Sequence, residues 1–210
     1  MPSALVLPPR LALAQRPTPL QFLPRATQRW GNGRRLWVKR DDLTGSLLSG
    51  NKVRKLEFII AHALAEGYDT LITCGGVQSN HCRATAFAGA QAGLKVHLIL
   101  RGERPAAGQG NYLLNQLAGA TIDCYPPSRY TPELTSLLGS WQAHYAQRGR
   151  KALVIPTGGS DGLGVWGYIA ACDELREDLS AAGIEAAHLV TATGSGGTQA
   201  GLTLGTALYD

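Results

Sequence analysis

The sequence predicts an α/β fold in which parallel sheets are covered by helices. Three observations carry this expectation. Short apolar segments alternate with helical periodicity along most of the chain. Those segments are apolar on both faces, as strands are when helices pack above and below them. Glycine-bearing turns recur where a strand passes into a helix, the place at which such sheets hold ligands.

The elements follow in order. The start, Met1 to Leu23, contains Pro and Arg and lacks acids, and its prolines disfavour a targeting helix; it reads as an extended arm along the surface. Leu36–Lys39 reads as a short strand. Lys52–Glu66 reads as a helix whose apolar face is Val53, Leu56, Ile60, Ala63 and Leu64, ended by Gly67. Thr70–Cys74 is a strand, Asn80–Ala92 an Ala-rich helix stopped by Gly93, and Lys95–Leu100 a strand. Asn111–Ala118 is a helix, Thr121–Tyr125 a strand, Pro132–Gln147 a helix and Ala152–Ile155 a strand. Leu163–Ala181 is a helix, His188–Thr193 a strand, and Gly197–Leu208 opens another helix.

Composition narrows the function classes. The 210 residues can bury a good core, and 44% hydrophobic against 17% charged content is that of a globular chain. The net charge of +5 is scattered, without the basic blocks and interleaved aromatics of a nucleic-acid surface, and suits anionic small molecules. No apolar stretch reaches membrane-spanning length. Cys74, Cys82, Cys124 and Cys172 show no CxxC pairing and read as reduced thiols of a cytoplasmic protein. No His/Cys spacing fits a metal site, so no metal is expected.

Three stretches carry chemistry. In Ser49-Gly50-Asn51-Lys52, glycine permits close approach of a ligand, Asn51 can cap the following helix, and Lys52 falls in the first turn. There the positive end of the helix dipole disfavours an ammonium and would free the amine for attack on an aldehyde. The same residues also read as a solvated basic face, with Lys55 one turn on. In Gly75-Gly76-Val77-Gln78-Ser79-Asn80-His81, a strand ends in a glycine turn and a hydroxyl, an amide and an imidazole fall at a helix start. Ser79 can bind a carboxylate or move a proton; Ser79 and Asn80 can equally be plain caps, and His81 a structural hydrogen-bonder. Thr193-Gly194-Ser195-Gly196-Gly197-Thr198 opens the last helix and can cradle a phosphate, yet it has neither the lysine of a P-loop nor the GxGxxG spacing. Gly158-Gly159-Ser160 is a further such turn, open to a ligand role or a purely connecting one. An amine, polar groups around it and a phosphate cradle are what a pyridoxal-phosphate enzyme needs.

The order of motifs is more specific than any one of them. Lys39-Arg40-Asp41-Asp42-Leu43, Ser49 to Glu57, Gly75 to His81, Ile155-Pro156-Thr157-Gly158-Gly159-Ser160 and Gly194 to Thr198 together resemble the D-cysteine desulfhydrase / 1-aminocyclopropane-1-carboxylate (ACC) deaminase family. The resemblance runs from about Leu11 to the end. It implies pyridoxal 5'-phosphate as cofactor and a tryptophan-synthase-β-like fold of two parallel-sheet α/β domains. The smaller is expected over 50–151, and the larger over 1–49 and 152–210. It implies Lys52 as the lysine bonded to the cofactor, Ser79 as the active-site serine, Asn80 at the cofactor's ring oxygen, and Gly194, Ser195, Gly196, Gly197 and Thr198 as the phosphate loop. Ser79, Asn80 and His81 would meet the substrate, an amino acid. His81 resembles the desulfhydrase branch, Gln being the deaminase counterpart. The implied activity is β-elimination of D-cysteine to pyruvate, ammonia and sulfide. ACC deamination, or a non-catalytic cofactor-binding homologue, is the alternative, and the full-length form is expected to be a homodimer. Family members continue well past the phosphate loop, so the larger domain is expected to be incomplete, with doubtful activity in this form.

Overall fold

The structure is a computed structural model that describes residues 5–209. Its elements are β1 (Leu20–Phe22), α1 (Pro24–Trp30), β2 (Trp37–Lys39), α2 (Lys52–Ala65), β3 (Thr70–Gly76), α3 (Asn80–Gln91), β4 (Lys95–Arg101), α4 (Gly110–Leu117), β5 (Thr121–Tyr125), α5 (Pro127–Ala146), β6 (Ala152–Val154), α6 (Trp166–Ala181) and α7 (Gly197–Tyr209). Short 3-10 turns occupy Asp41–Leu43 and Thr157–Gly159.

Four strands form one parallel sheet in the order β5-β4-β3-β6. Alternation along β3 sends Leu71 into a core with Val53, Leu56 and Ile60 of α2 and with Cys82, Ala84 and Ala88 of α3. Its neighbour Ile72 faces the other way and joins Cys74, Ile99 and Tyr130 beneath Leu134, Leu138 and Trp141 of α5. Both faces are therefore buried, which is why these strands are continuously apolar. Each fully buried Val, Leu or Ile among them contributes roughly 1.5–3 kcal/mol. The expected division at residue 151 falls just before β6, which belongs to this sheet.

The N-terminal arm runs along α2, where the amides of Leu13 and Ala14 donate to Glu57 Oε1 at 3.0 and 2.9 Å. It then pairs as β1 antiparallel to β2. A charged cluster pins these pieces to α6. Arg54, 2% exposed, reaches Asp41 at 2.8 Å and Glu174 at 2.9 Å. Lys39 binds Glu174 at 2.6 Å, and Tyr168 donates to Asp41 at 2.6 Å. Burial alone would raise the Glu174 carboxyl; hydrogen bonds from Arg54 and Lys39 outweigh it and hold the group at about 2. α7 lies flat on α6 because Gly201 and Gly205 let it: an added Cβ would stand 2.5 Å from Tyr168 Cβ and 2.5 Å from Cys172 Sγ, respectively.

Two expectations are corrected. His188–Thr193 is not a strand: it runs without a ladder partner among the described residues, and Val190 is 95% exposed. A β-branched apolar run has strand character, but a strand exists only when a neighbour takes its backbone hydrogen bonds. α5 begins at Pro127 rather than Pro132, since proline suits the first helical position, and Pro132 is carried inside the helix. A further helix, Pro24–Trp30, lies after the expected arm, where no element was expected; it too starts on a proline. The first four residues of the expected arm lie outside the described residues. No helix among the described residues is long and apolar enough to cross a membrane.

Candidate active site

The motifs gather beyond the C-terminal ends of β3 and β6, neighbours in the sheet. Gly50, at φ +102°, turns the chain into α2 so that Lys52 is its first residue. Asn51 does not cap α2, as expected from sequence; its side chain works across the fold instead. Asn51 Nδ2 donates to Thr198 Oγ1 at 2.8 Å, and Asn51 Oδ1 accepts from Lys52 Nζ at 3.0 Å. The starts of α2 and α7 are thereby joined. Burial lowers the Lys52 pKa, so desolvation supplies the effect expected of the helix dipole.

Lys55 is not an exposed basic residue. It is 1% exposed, and its Nζ donates to the Gly158 carbonyl and to Ser160 Oγ, both at 3.2 Å. Burial and the neighbouring charge of Lys52 push it down to about 8. Among the described residues no carboxylate forms an ion pair with it.

The turn after β6 forms the wall between them. Gly158 and Gly159 adopt φ of +68° and +58°, and a Cβ on Gly158 would lie 2.4 Å from Ser195 Oγ and 3.3 Å from Lys52 Cε. Ser160 Oγ lies 2.7 Å from Ser195 Oγ and accepts from the Gly197 amide at 3.2 Å. This turn, left open between a ligand role and a connecting one, stands inside the site. Asn51, Lys52, Thr193, Gly194, Ser195 and Gly196, among others, line a cavity of about 70 Å³. A water takes about 30 Å³ of the liquid, so the space matches a small oxyanion. Gly196, at φ +85°, swings the chain so that α7 starts there. Thr198 is buried beneath Asn51. A larger cavity, about 580 Å³, lies at the far end of α7 among Leu175, Leu179, Ile184 and Tyr209, and touches none of these groups.

The β3–α3 turn sits beside this cluster. Ser79 caps α3, its Oγ accepting from the Cys82 amide at 3.2 Å. Asn80 is exposed, and its Oδ1 accepts from Asn111 Nδ2 at 2.8 Å. Neither hydrogen-bonds to Lys52 among the described residues. They connect to the Lys52 stretch through Arg83, whose guanidinium reaches Asn80 Oδ1 at 3.3 Å and the Ser49 carbonyl at 2.9 Å. Arg83 and Asn111 were not flagged from sequence; the one available signal was Arg83's place one turn into the α3 helix. His81 faces inward rather than toward an exposed substrate surface. It is 5% exposed, with Nε2 2.8 Å from Thr73 Oγ1.

Comparison with known proteins adds to this geometry. The model of a family described as pyridoxal-phosphate dependent enzyme matches residues 11–209. A bifunctional D-cysteine desulfhydrase/1-aminocyclopropane-1-carboxylate deaminase of Arabidopsis thaliana, named as mitochondrial, is 44% identical over 94% of this chain and 54% of its own length. A D-cysteine desulfhydrase of Klebsiella pneumoniae is 40% identical over 94% of this chain and 60% of its own. The crystal structure of an ACC deaminase homologue superposes with a TM-score of 0.82 at 37% identity, covering 94% of this chain and 58% of that one. The chain thus spans little more than half the length of these relatives.

Proposed function

The chain belongs to the pyridoxal-phosphate-dependent enzyme family, and on that premise we propose that it carries the cofactor site of a lyase that converts D-cysteine to pyruvate, ammonia and sulfide. ACC deamination is the second reading, favoured by the relative whose name joins both activities. One observation carries the proposal. A buried lysine without a carboxylate ion pair among the described residues, Lys55, stands at the loop that lines a small polar cavity, beside a second lysine whose pKa burial lowers. A buried cation with only neutral acceptors is costly until an anion joins it. The site therefore fits the cofactor.

Pyridoxal phosphate bound here supplies an aldehyde carbon that amines can join and a ring that takes up negative charge from the substrate. Lys55 Nζ and the amides of the Gly194–Thr198 loop other than that of Gly197, at the positive end of α7, would hold the phosphate. Ser160 occupies the Gly197 amide and so shapes the loop. Lys52 Nζ would be the covalent anchor and, once released, would take the proton from the substrate α-carbon. Its burial lowers the amine's pKa, which favours both tasks. Asn51 orients Lys52 and ties it to Thr198. Ser79 Oγ, already fixed by the Cys82 amide, keeps its own proton and would donate it to the substrate carboxylate, and Asn80 would meet the cofactor ring oxygen. His81 acts from beneath. Loss of the α-proton and of hydrosulfide, together one hydrogen sulfide, followed by addition of one water, balances D-cysteine against pyruvate and ammonia.

The division into a small domain over 50–151 and a larger one over 1–49 and 152–210, a homodimer and a cytoplasmic location belong to the same proposal. The test is an absorbance scan of the protein with and without added pyridoxal phosphate, followed by titration with D-cysteine, L-cysteine and ACC while sulfide and 2-oxoacid are measured. A cofactor band that responds first to D-cysteine is expected. Faster turnover of ACC in a chain extended to the relatives' length would reverse the ranking.

A further inference from the structure

The turn after β3 and the start of α4 are clasped by hydrogen bonds that run in both directions. Gly110, at φ +53°, brings the chain so close to Gln78 that an added Cβ would stand 2.5 Å from Gln78 Oε1. The Asn111 backbone amide donates to that Oε1 at 2.8 Å, and Gln78 Nε2 donates to the Gln109 carbonyl at 3.2 Å. The Asn111 side chain answers: its Nδ2 donates to the Gln78 carbonyl and to Asn80 Oδ1, both at 2.8 Å. Arg83 closes the set from α3. Its Nη1 reaches Asn80 Oδ1 at 3.3 Å and Asn111 Oδ1 at 3.2 Å, and its Nη2 reaches the Ser49 carbonyl at 2.9 Å and Ser49 Oγ at 3.1 Å.

Chemistry decides which end of each amide is which. The Gln78 carbonyl can only accept, so the Asn111 atom that faces it is the NH2 group. The second hydrogen of that group goes to Asn80, so the Asn80 atom 2.8 Å away is its oxygen. Arg83 agrees, since a guanidinium only donates and it reaches the same atom. The carbonyl end of Asn80 is thus engaged from two sides. Its Nδ2 has no acceptor among the described residues, and the residue is exposed. Asn80 therefore offers donors alone, and a ligand atom that meets it must be an acceptor, best a negatively charged oxygen.

We propose that Asn111 is a positioning residue, which together with Arg83 fixes the Asn80 amide so that its N–H donors, and not its oxygen, face the bound cofactor. This rests on the reading that Asn80 meets the cofactor ring oxygen. A side-chain amide free to turn would present its oxygen as readily as its nitrogen, and two oxygens facing each other repel. The clasp removes that wrong orientation. Through Ser49, in the turn that leads to Lys52, Arg83 also ties this donor to the stretch that carries the lysine.

The pH midpoint of the absorbance change of the cofactor-loaded protein tests this, because a donor at the ring oxygen favours its charged form and lowers that midpoint. In Asn111→Asp the new carboxylate can only accept, so the Asn80 amide turns to donate to it and its oxygen faces the cofactor. The midpoint should rise by about one unit, the worth of one hydrogen bond to a charged group, and should rise likewise in Asn80→Ala. On an Asn80→Ala background Asn111→Asp should add nothing, whereas a direct effect of the new carboxylate would persist there. Asn111→Ala, which only frees the amide, should raise the midpoint by less, and serves if Asn111→Asp fails to fold. Without cofactor, nitrogen-15 NMR should show the Asn111 side-chain amide hydrogens, both bonded, exchanging with water more slowly than those of Asn80. Equal exchange, a rise that persists without Asn80, or a midpoint that responds to Asn80→Ala and to no change at Asn111 would overturn the inference; the last of these leaves the reading of Asn80 standing. An unmoved midpoint in Asn80→Ala, while borohydride still marks Lys52, would remove the premise and the inference with it and leave the cofactor assignment intact.

Discussion

Lys55 offers a test that needs no catalysis. In the folded chain its ammonium is buried against neutral acceptors and depressed from 10.5 to about 8. Because the folded value lies below the unfolded one, charged Lys55 opposes folding. That penalty is fully present below about pH 8 and fades as the pH climbs toward 10.5. A depression of this size corresponds to about 3 kcal/mol at roughly 1.36 kcal/mol per pH unit. The cofactor-free protein should therefore gain up to about 3 kcal/mol between those limits, and Lys55→Met, close in volume, should lose this pH-linked gain and be the more stable protein at pH 7. Inorganic phosphate should stabilise the wild type at pH 7 and leave Lys55→Met unmoved, since an anion beside the ammonium removes the penalty. Urea melts at several pH values, with and without phosphate, measure both effects. Parallel pH curves for the two proteins, or equal stabilisation by phosphate, would refute the reasoning about a buried, unpaired cation.

Other consequences are as direct. Glu174 is held at about 2 in the fold against an ordinary 4.5, so it stabilises above pH 4.5 and loses that contribution as the pH falls toward 2; Glu174→Gln should flatten the acid limb of the stability curve seen by circular dichroism. Gly197→Val should weaken pyridoxal phosphate binding at least about tenfold in a fluorescence titration, because a Cβ there would stand 2.5 Å from Ser160 Oγ and 2.7 Å from Lys55 Nζ. Leu71→Ala, emptying a fully buried position between β3 and α2, should cost about 2–5 kcal/mol in a urea melt and leave the cofactor titration midpoint unchanged at temperatures where the protein stays folded.

Much of this arrangement was legible in the chain because the sheet is buried on both faces. Thr70–Gly76 and Lys95–Arg101 could then only read as apolar runs, and each following helix announces itself through its apolar face and a closing glycine such as Gly67 or Gly93. His188–Thr193 misled for the opposite reason: residue type marks a segment that could pair, while pairing depends on a neighbour that composition does not encode. Lys52 stood out by its place after Gly50 and Asn51. What Asn51 does with its amide did not, since its partner Thr198 lies 147 residues away. Lys55 looked like surface because lysine usually is; only the Gly158–Ser160 turn folding over it makes it buried. His81 was legible as a neighbour of Ser79, but its inward direction depends on Thr73, on a strand eight residues earlier.

The central claim is that Lys52, with Lys55 and the Gly194–Thr198 loop around it, holds pyridoxal phosphate. Borohydride reduction of the protein loaded with the cofactor, followed by digestion and peptide mass spectrometry, tests it most directly. The cofactor mass should appear on the peptide at Lys52 and nowhere else. A label on Lys55 or Lys39, or none on a protein whose absorbance shows bound cofactor, would contradict it.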